Sequence, residues 1–171
     1  MASAIESFAD CVKPQLQAVE ELFTRELHSQ VACVNSLVRH VGRFRGKMLR
    51  PMLLLLAGKA CGKLEDAHVV LATVVEMVHM ATLVHDDVLD EAELRRKGAT
   101  INHLRGNEAA VLLGDFLISH SYHLCSSLES QFASRLISRT TNEVSGEIPG
   151  ERRRSARAPT STPEVFAVFQ N

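Results

Sequence analysis

Three aspartates, Asp86, Asp87 and Asp90, lie close together in the stretch LVHDDVLDEAELRRKG, Leu83–Gly98, with Arg95 and Arg96 just behind them. On a helix, Asp86 and Asp90 are separated by about 6 Å along the axis and about 40° around it, so their carboxylates share a face. Like charges at that spacing repel, and a structural helix gains nothing from them. A divalent cation removes the repulsion. Carboxylates with no nearby cysteine and no histidine pair suit a hard ion such as Mg²⁺, which keeps several waters and bridges to phosphate oxygens. Asp87 is turned about 100° from Asp86 and shares the face less well. The competing reading is a set of solvated acids at a helix end. Against it, the cluster falls toward a helix C-terminus, where the macrodipole disfavours negative charge unless something positive arrives.

Basic side chains supply candidates for that charge. Arg95 and Arg96 follow the acids, and guanidinium groups bind phosphate oxygens bidentately, although these two could simply neutralise the aspartates. A second basic feature, RGKMLRP at Arg45–Pro51, puts Lys47 and Arg50 three apart at a helix start, where backbone N–H groups also favour an anion. Together these make a diphosphate cradle. His79 precedes Asp86 by two helical turns and lies within about 20° of the same face, about 10 Å from the acids, a distance that suits a second phosphate group. A lone histidine on an apolar helix is otherwise a satisfied core residue. His120 and His123 have no companions that would make them a site, and Gly114 reads as a point of close helix packing.

The elements that must position these residues are helical. Lys13–Leu27 opens with Pro14, tolerated in a first turn, and Val31–Val41 ends near Gly42. Arg50–Cys61 starts with Pro51 at its first position, stops at Gly62, and is apolar enough all round to predict burial on most faces. Glu65–Glu91 contains neither Pro nor Gly and spans roughly 40 Å. RRKGATINHLRGN is a connecting loop, Asn107 caps a helix reaching about Leu128, and SQFASRLISRTTNEVSGE is a weaker candidate because Ser and Thr are frequent. No alternating strand pattern occurs, so the class is all-α. After Ile148 the composition changes: PGERRRSARAPTSTPE holds three of the five prolines and a triple arginine. That predicts one domain over 1–148 and an irregular, disordered tail over 149–171.

Composition limits the remaining possibilities. With 171 residues, 46% hydrophobic and 23% charged, the chain can bury a core. Nineteen Lys+Arg against twenty Asp+Glu favour neither nucleic acid nor an anionic membrane. The four cysteines, Cys11, Cys33, Cys61 and Cys125, lack disulfide or C-x-x-C spacing and read as reduced core residues of a cytoplasmic protein. The N-terminus does not have the layout of a signal peptide, and the apolar run MLLLLA is too short to form a transmembrane segment.

Read together, GKMLRP, EMVHMATLVHDDVLDEAELRR and GNEAAVLLGDFL resemble the trans-isoprenyl diphosphate synthases, or polyprenyl synthetases, in order and spacing over roughly Gly46–Leu117. DDVLD is similar to the family's first aspartate-rich motif. The resemblance implies part of an isoprenoid-synthase-type helical bundle that condenses isopentenyl diphosphate with an allylic diphosphate. It further implies that Asp86, Asp87 and Asp90 hold Mg²⁺ at the allylic diphosphate, with Arg95 contacting that same group. Lys47, Arg50, His79 and Arg96 would bind isopentenyl diphosphate. Ala81 and Thr82, where short-product members carry a bulky residue, imply a C20 or longer product. The family's second aspartate-rich motif and a later lysine have no counterpart, since no Asp or Lys follows Asp115. The expectation is therefore a truncated or frame-shifted synthase, weak or inactive alone, as a homodimer or joined to a synthase subunit. One alternative is a non-catalytic partner subunit of a heteromeric synthase. Another is an HD-type metal phosphohydrolase using His85-Asp86, which leaves GKMLRP and the arginine pair unexplained.

Overall fold

A computed structural model describes residues 9–42, 46–95 and 98–146. The expected tail, 149–171, and the domain boundary before it lie outside the described residues. Seven helices in this span are interrupted by one short hairpin: α1 (Lys13–Glu26), α2 (Ala32–Gly42), α3 (Leu49–Cys61), α4 (Asp66–Leu89), β1 (Leu94–Arg95), β2 (Gly98–Ala99), α5 (Ile101–Arg105), α6 (Asn107–Ser126) and α7 (Gln131–Gly146).

The 24-residue helix α4 is the spine. It packs most extensively against α6 and also touches α1, α3 and α5. Its side chains enter two apolar clusters. The larger one joins Leu71, Val74, Met77, Ala81 and Val84 of α4 to Leu22 and Phe23 of α1 and to Leu113, Leu117 and Leu124 of α6. The smaller one sets Ala72 against Val19 of α1 and Met48, Met52 and Leu55 around the start of α3. A helix committed to neighbours on several sides must be apolar on most faces, which explains its composition. By length and composition α4 could cross a membrane, but half of its most apolar window is buried by the other helices, as a core helix requires.

Several expectations need correction. Helix α3 buries only one stripe, Pro51, Met52, Leu55 and Gly58, while Leu49 and Leu53 are exposed. It begins at Leu49, which puts Pro51 third rather than first. Pro51 still falls in the first turn, where its missing N–H leaves no hydrogen bond unmade. Of the cysteines, all free, only Cys125 is buried; Cys11, Cys33 and Cys61 are exposed. The segment read as a plain loop holds an antiparallel pair, Leu94 with Ala99 and Arg95 with Gly98, and the short helix α5. Thr100 caps α5 by accepting from His103 N. Asn107 is the first residue of α6 and not its cap; Gly106 takes that place with φ of 84°, a backbone conformation that disfavours a side chain.

Candidate functional site

Helix α4 ends where its acids begin. Asp90 N donates to Asp86 O at 2.8 Å, and Glu91 turns the chain out of the helix with φ of 50°. The last carbonyls are then claimed from outside. Ala92 N and Asn102 Nδ2 both donate to Asp87 O, at 2.9 and 3.0 Å. Asn102 Nδ2 also reaches Ala92 O at 3.0 Å, and the Thr100 hydroxyl donates to Ala92 O at 2.6 Å. These bonds satisfy a helix end that would otherwise leave carbonyls orphaned, and they fix the direction of the hairpin that follows. His40 of α2 secures the other side of that hairpin, with Nε2 2.7 Å from Ala99 O.

The hairpin returns Arg95 to the acids. Its Nε and Nη2 lie 2.8 and 2.7 Å from Asp87 Oδ1. This charge-assisted bond to Asp87 pushes the guanidinium above its ordinary value; partial burial opposes the rise, and the charges of Asp87, Asp86 and Asp90 add to it. Two of the five guanidinium donors are thereby used, and Arg95 also lines the cleft described next.

One cleft collects the expected residues. Lys47 and Arg50 at the start of α3, His79 and Asp87 on α4, and Arg95 on β1 all line it, together with Glu76, His40 and Thr100. Its apolar wall is Met80, Leu83 and Val84. The basic pair is presented by a left-handed turn at Met48, φ 51° and ψ 38°, whose side chain is buried in the smaller cluster. Asp86 and Asp90 are not in the lining. Asp86 is half-buried and Asp90 exposed, whereas Asp87 is buried. Arg96 lies outside the described residues. Sequence reasoning missed Glu76, 5% exposed in the cleft wall, and Asn102. Glu76 was legible as the acid one turn before His79 on the same stripe; nothing in the sequence marked Asn102.

Among the described residues no group of three His, Cys, Asp or Glu side chains is arranged to hold an ion. Two carboxylates and no nitrogen or sulfur donor nonetheless fit a hard cation completed by water and phosphate oxygens. His85, which the phosphohydrolase reading makes a ligand, lies instead against α6, with Nε2 3.3 Å from Val111 O.

The family model described as Polyprenyl synthetase matches residues 31–149. The chain is 37% identical over 126 residues to octaprenyl diphosphate synthase of Escherichia coli, covering 74% of this chain and 39% of that protein. It is 42% identical over 131 residues to an all-trans-nonaprenyl-diphosphate synthase (geranyl-diphosphate specific) of Rhodobacter capsulatus, covering 74% and 40%. In structure it is similar to a decaprenyl diphosphate synthase from Rhodobacter capsulatus, with a TM-score of 0.78, 32% identity, and coverage of 82% of this chain and 43% of that one. A polyprenyl synthase from Caulobacter crescentus, complexed with calcium and isoprenyl diphosphate, gives a TM-score of 0.79, 30% identity and the same coverage. The chain thus spans about 40% of the length of the curated relatives it matches.

Proposed function

Since the chain belongs to the polyprenyl synthetase family, we propose that its cleft serves trans condensation of isopentenyl diphosphate with an allylic diphosphate, giving a product of C20 or longer. The observation that carries this reading is the convergence of Lys47, Arg50, His79 and Arg95 on one cleft that also holds Asp87. Lys47, Arg50 and His79 bind the diphosphate of isopentenyl diphosphate, joined by Arg96. Arg95 faces the allylic diphosphate and stabilises its charge as the allylic C–O bond breaks and the group leaves with the bonding pair. The double bond of isopentenyl diphosphate then supplies the electrons of the new C–C bond, and loss of a proton restores an alkene. Met80, Leu83 and Val84 keep water from the carbocation. Asp86 and Asp90, with Asp87 beside them, would hold Mg²⁺, which supplies charge neutralisation for the diphosphate. The Caulobacter relative's calcium and isoprenyl diphosphate support this choice of ligands. The octaprenyl and nonaprenyl names of the relatives, with the small Ala81 and Thr82, support the longer product.

The test is incorporation of labelled isopentenyl diphosphate into extractable prenyl product by the purified chain, with farnesyl diphosphate, Mg²⁺ and an Asp86→Ala control. Product that disappears in the control supports the reading. A folded chain that makes none, but restores or raises synthesis when mixed with a synthase subunit, points to the partner-subunit reading. Exposed Val111 and Leu112 on α6 favour that second reading, because they offer an apolar surface to another chain. The cytoplasmic location inferred from the cysteines belongs to the same proposal.

A further inference from the structure

His85 immediately precedes the acidic pair, yet it turns away from the cleft and lays its imidazole on the backbone of α6. A Cβ at position 114 would stand 2.1 Å from Nε2, 2.4 Å from Cδ2 and 2.8 Å from Cε1 of that ring, so no side chain fits there while the ring stays in place. Nε2 lies 3.3 Å from Val111 O and 3.5 Å from Asp115 Oδ1. In the tautomer that carries its proton on Nε2, the ring donates to that carbonyl. One turn of α6 therefore holds the imidazole by shape at Gly114 and by polarity on either side of it.

The consequence for the acids follows from helix geometry. Residue 86 lies about 100° around α4 from residue 85, and residue 87 about 200°. Seating His85 on α6 sends Asp87 to the far side of the helix, where Arg95 bonds it and the cleft opens. A rotational slip of about 20° would move a carboxylate at a radius of ~6 Å by roughly 2 Å, beyond the reach of a charge-assisted hydrogen bond.

We propose that His85 and Gly114 form a socket that sets the rotation of the last turn of α4, making His85 a positioning residue for Asp86 and Asp87. Its consequence for ligand binding rests on the diphosphate reading above; the socket itself does not.

Two readouts on the full chain separate these levels. The ¹H–¹⁵N correlation of Arg95 Nε reports the bond to Asp87, and electron paramagnetic resonance follows Mn²⁺ binding in the presence of inorganic diphosphate. Gly114→Ala, folded by circular dichroism, is expected to lose the Arg95 correlation and to bind Mn²⁺ and diphosphate about tenfold more weakly, as the loss of one charge-assisted contact would give. His85→Ala should lie between it and the parent. The Gly114→Ala/His85→Ala pair should match His85→Ala, since the clash is gone, and His85→Asn, which keeps a donor for Val111 O, should recover toward the parent.

If folded Gly114→Ala and His85→Ala lower only the melting temperature and leave the Arg95 correlation and Mn²⁺ affinity unchanged, the contact is packing alone and the proposal is overturned. Should Gly114→Ala fail to fold, His85→Ala and His85→Asn decide: equal behaviour of the two overturns the socket. A parent chain that binds no Mn²⁺ with diphosphate, yet whose Arg95 correlation responds to the variants as expected, supports the socket and removes the diphosphate reading.

Discussion

Both bonds from Arg95 fall on Asp87 Oδ1, and the carboxylate that receives them is buried. Removing the guanidinium would leave that charge without its cation, a change that costs on the order of 1–2 kcal/mol at this pair, where the guanidinium is a third exposed and solvent screens part of the loss. Arg95→Ala is expected to lower the urea midpoint accordingly. Arg95→Lys should recover only part of the loss, because an ammonium cannot reproduce the fork that bonds through Nε and Nη2 together. The sign of the pH dependence follows from the raised guanidinium value. A group whose folded value is raised contributes stability that is complete below its unfolded value and lost only as pH rises through the folded one. The stability difference between parent and Arg95→Ala should therefore stay flat from about pH 7 to about pH 10. A steady decline across that range, measured by denaturant titration, would mean that something other than Arg95 titrates.

At the level of elements, the end of α4 depends on a side chain from another helix. Asn102 bonds two carbonyls through one amide nitrogen, while its buried Oδ1 has no hydrogen-bond partner among the described residues. Asn102→Ala gives up both bonds, and the expected cost is about 2 kcal/mol, with faster hydrogen exchange at Asp90 and Ala92. Exchange that accelerates evenly over the whole chain would argue for global destabilisation instead. Sequence patterning reached the helices because prolines, glycines and apolar spacing mark them. It missed the hairpin because strands of two residues are too short to alternate. It also ranked Asp86 and Asp90 above Asp87 by their shared face, whereas Asp87 is the one in the cleft with the basic residues. Which face of a helix meets a cleft is set by its packing on α6 and by contacts such as His85 on Gly114, and a period of 3.6 residues carries no record of that. Lys47, Arg50 and Arg95 were legible because they lie on other elements, where their charge and order in the chain do not depend on the rotation of α4; His79 was found by its helical spacing from Asp86, yet it shares the cleft with Asp87 and not with Asp86.

The whole molecule is organised around α4, which belongs to both apolar clusters and carries the acids at its end. Ligand binding at that end should therefore stabilise the complete fold. Mg²⁺ with inorganic diphosphate at about a hundred times its dissociation constant would add about 2.7 kcal/mol and raise the melting temperature, and a chelator should reverse the effect. An unchanged melting temperature under saturating ligand would count against the cleft as a diphosphate site. Product length belongs to this scale as well. Ala81 is fully buried in the larger apolar cluster, so Ala81→Phe should cost about 1–3 kcal/mol by overpacking; if the proposed longer product holds, the same change is expected to shorten it in any active assembly. Farnesyl product alone from the parent, with chain length unaltered in Ala81→Phe, would refute the assignment of a longer product.

The left-handed turn at Met48 has one more implication. A non-glycine residue pays roughly 1–2 kcal/mol to stand in that conformation, and here a buried thioether side chain supplies the restraint. The turn therefore works as a spring latched by the smaller apolar cluster. Trimming the latch with Met48→Ala would let the backbone relax toward an ordinary helical start, and the two cations that the turn displays would separate although neither had been altered.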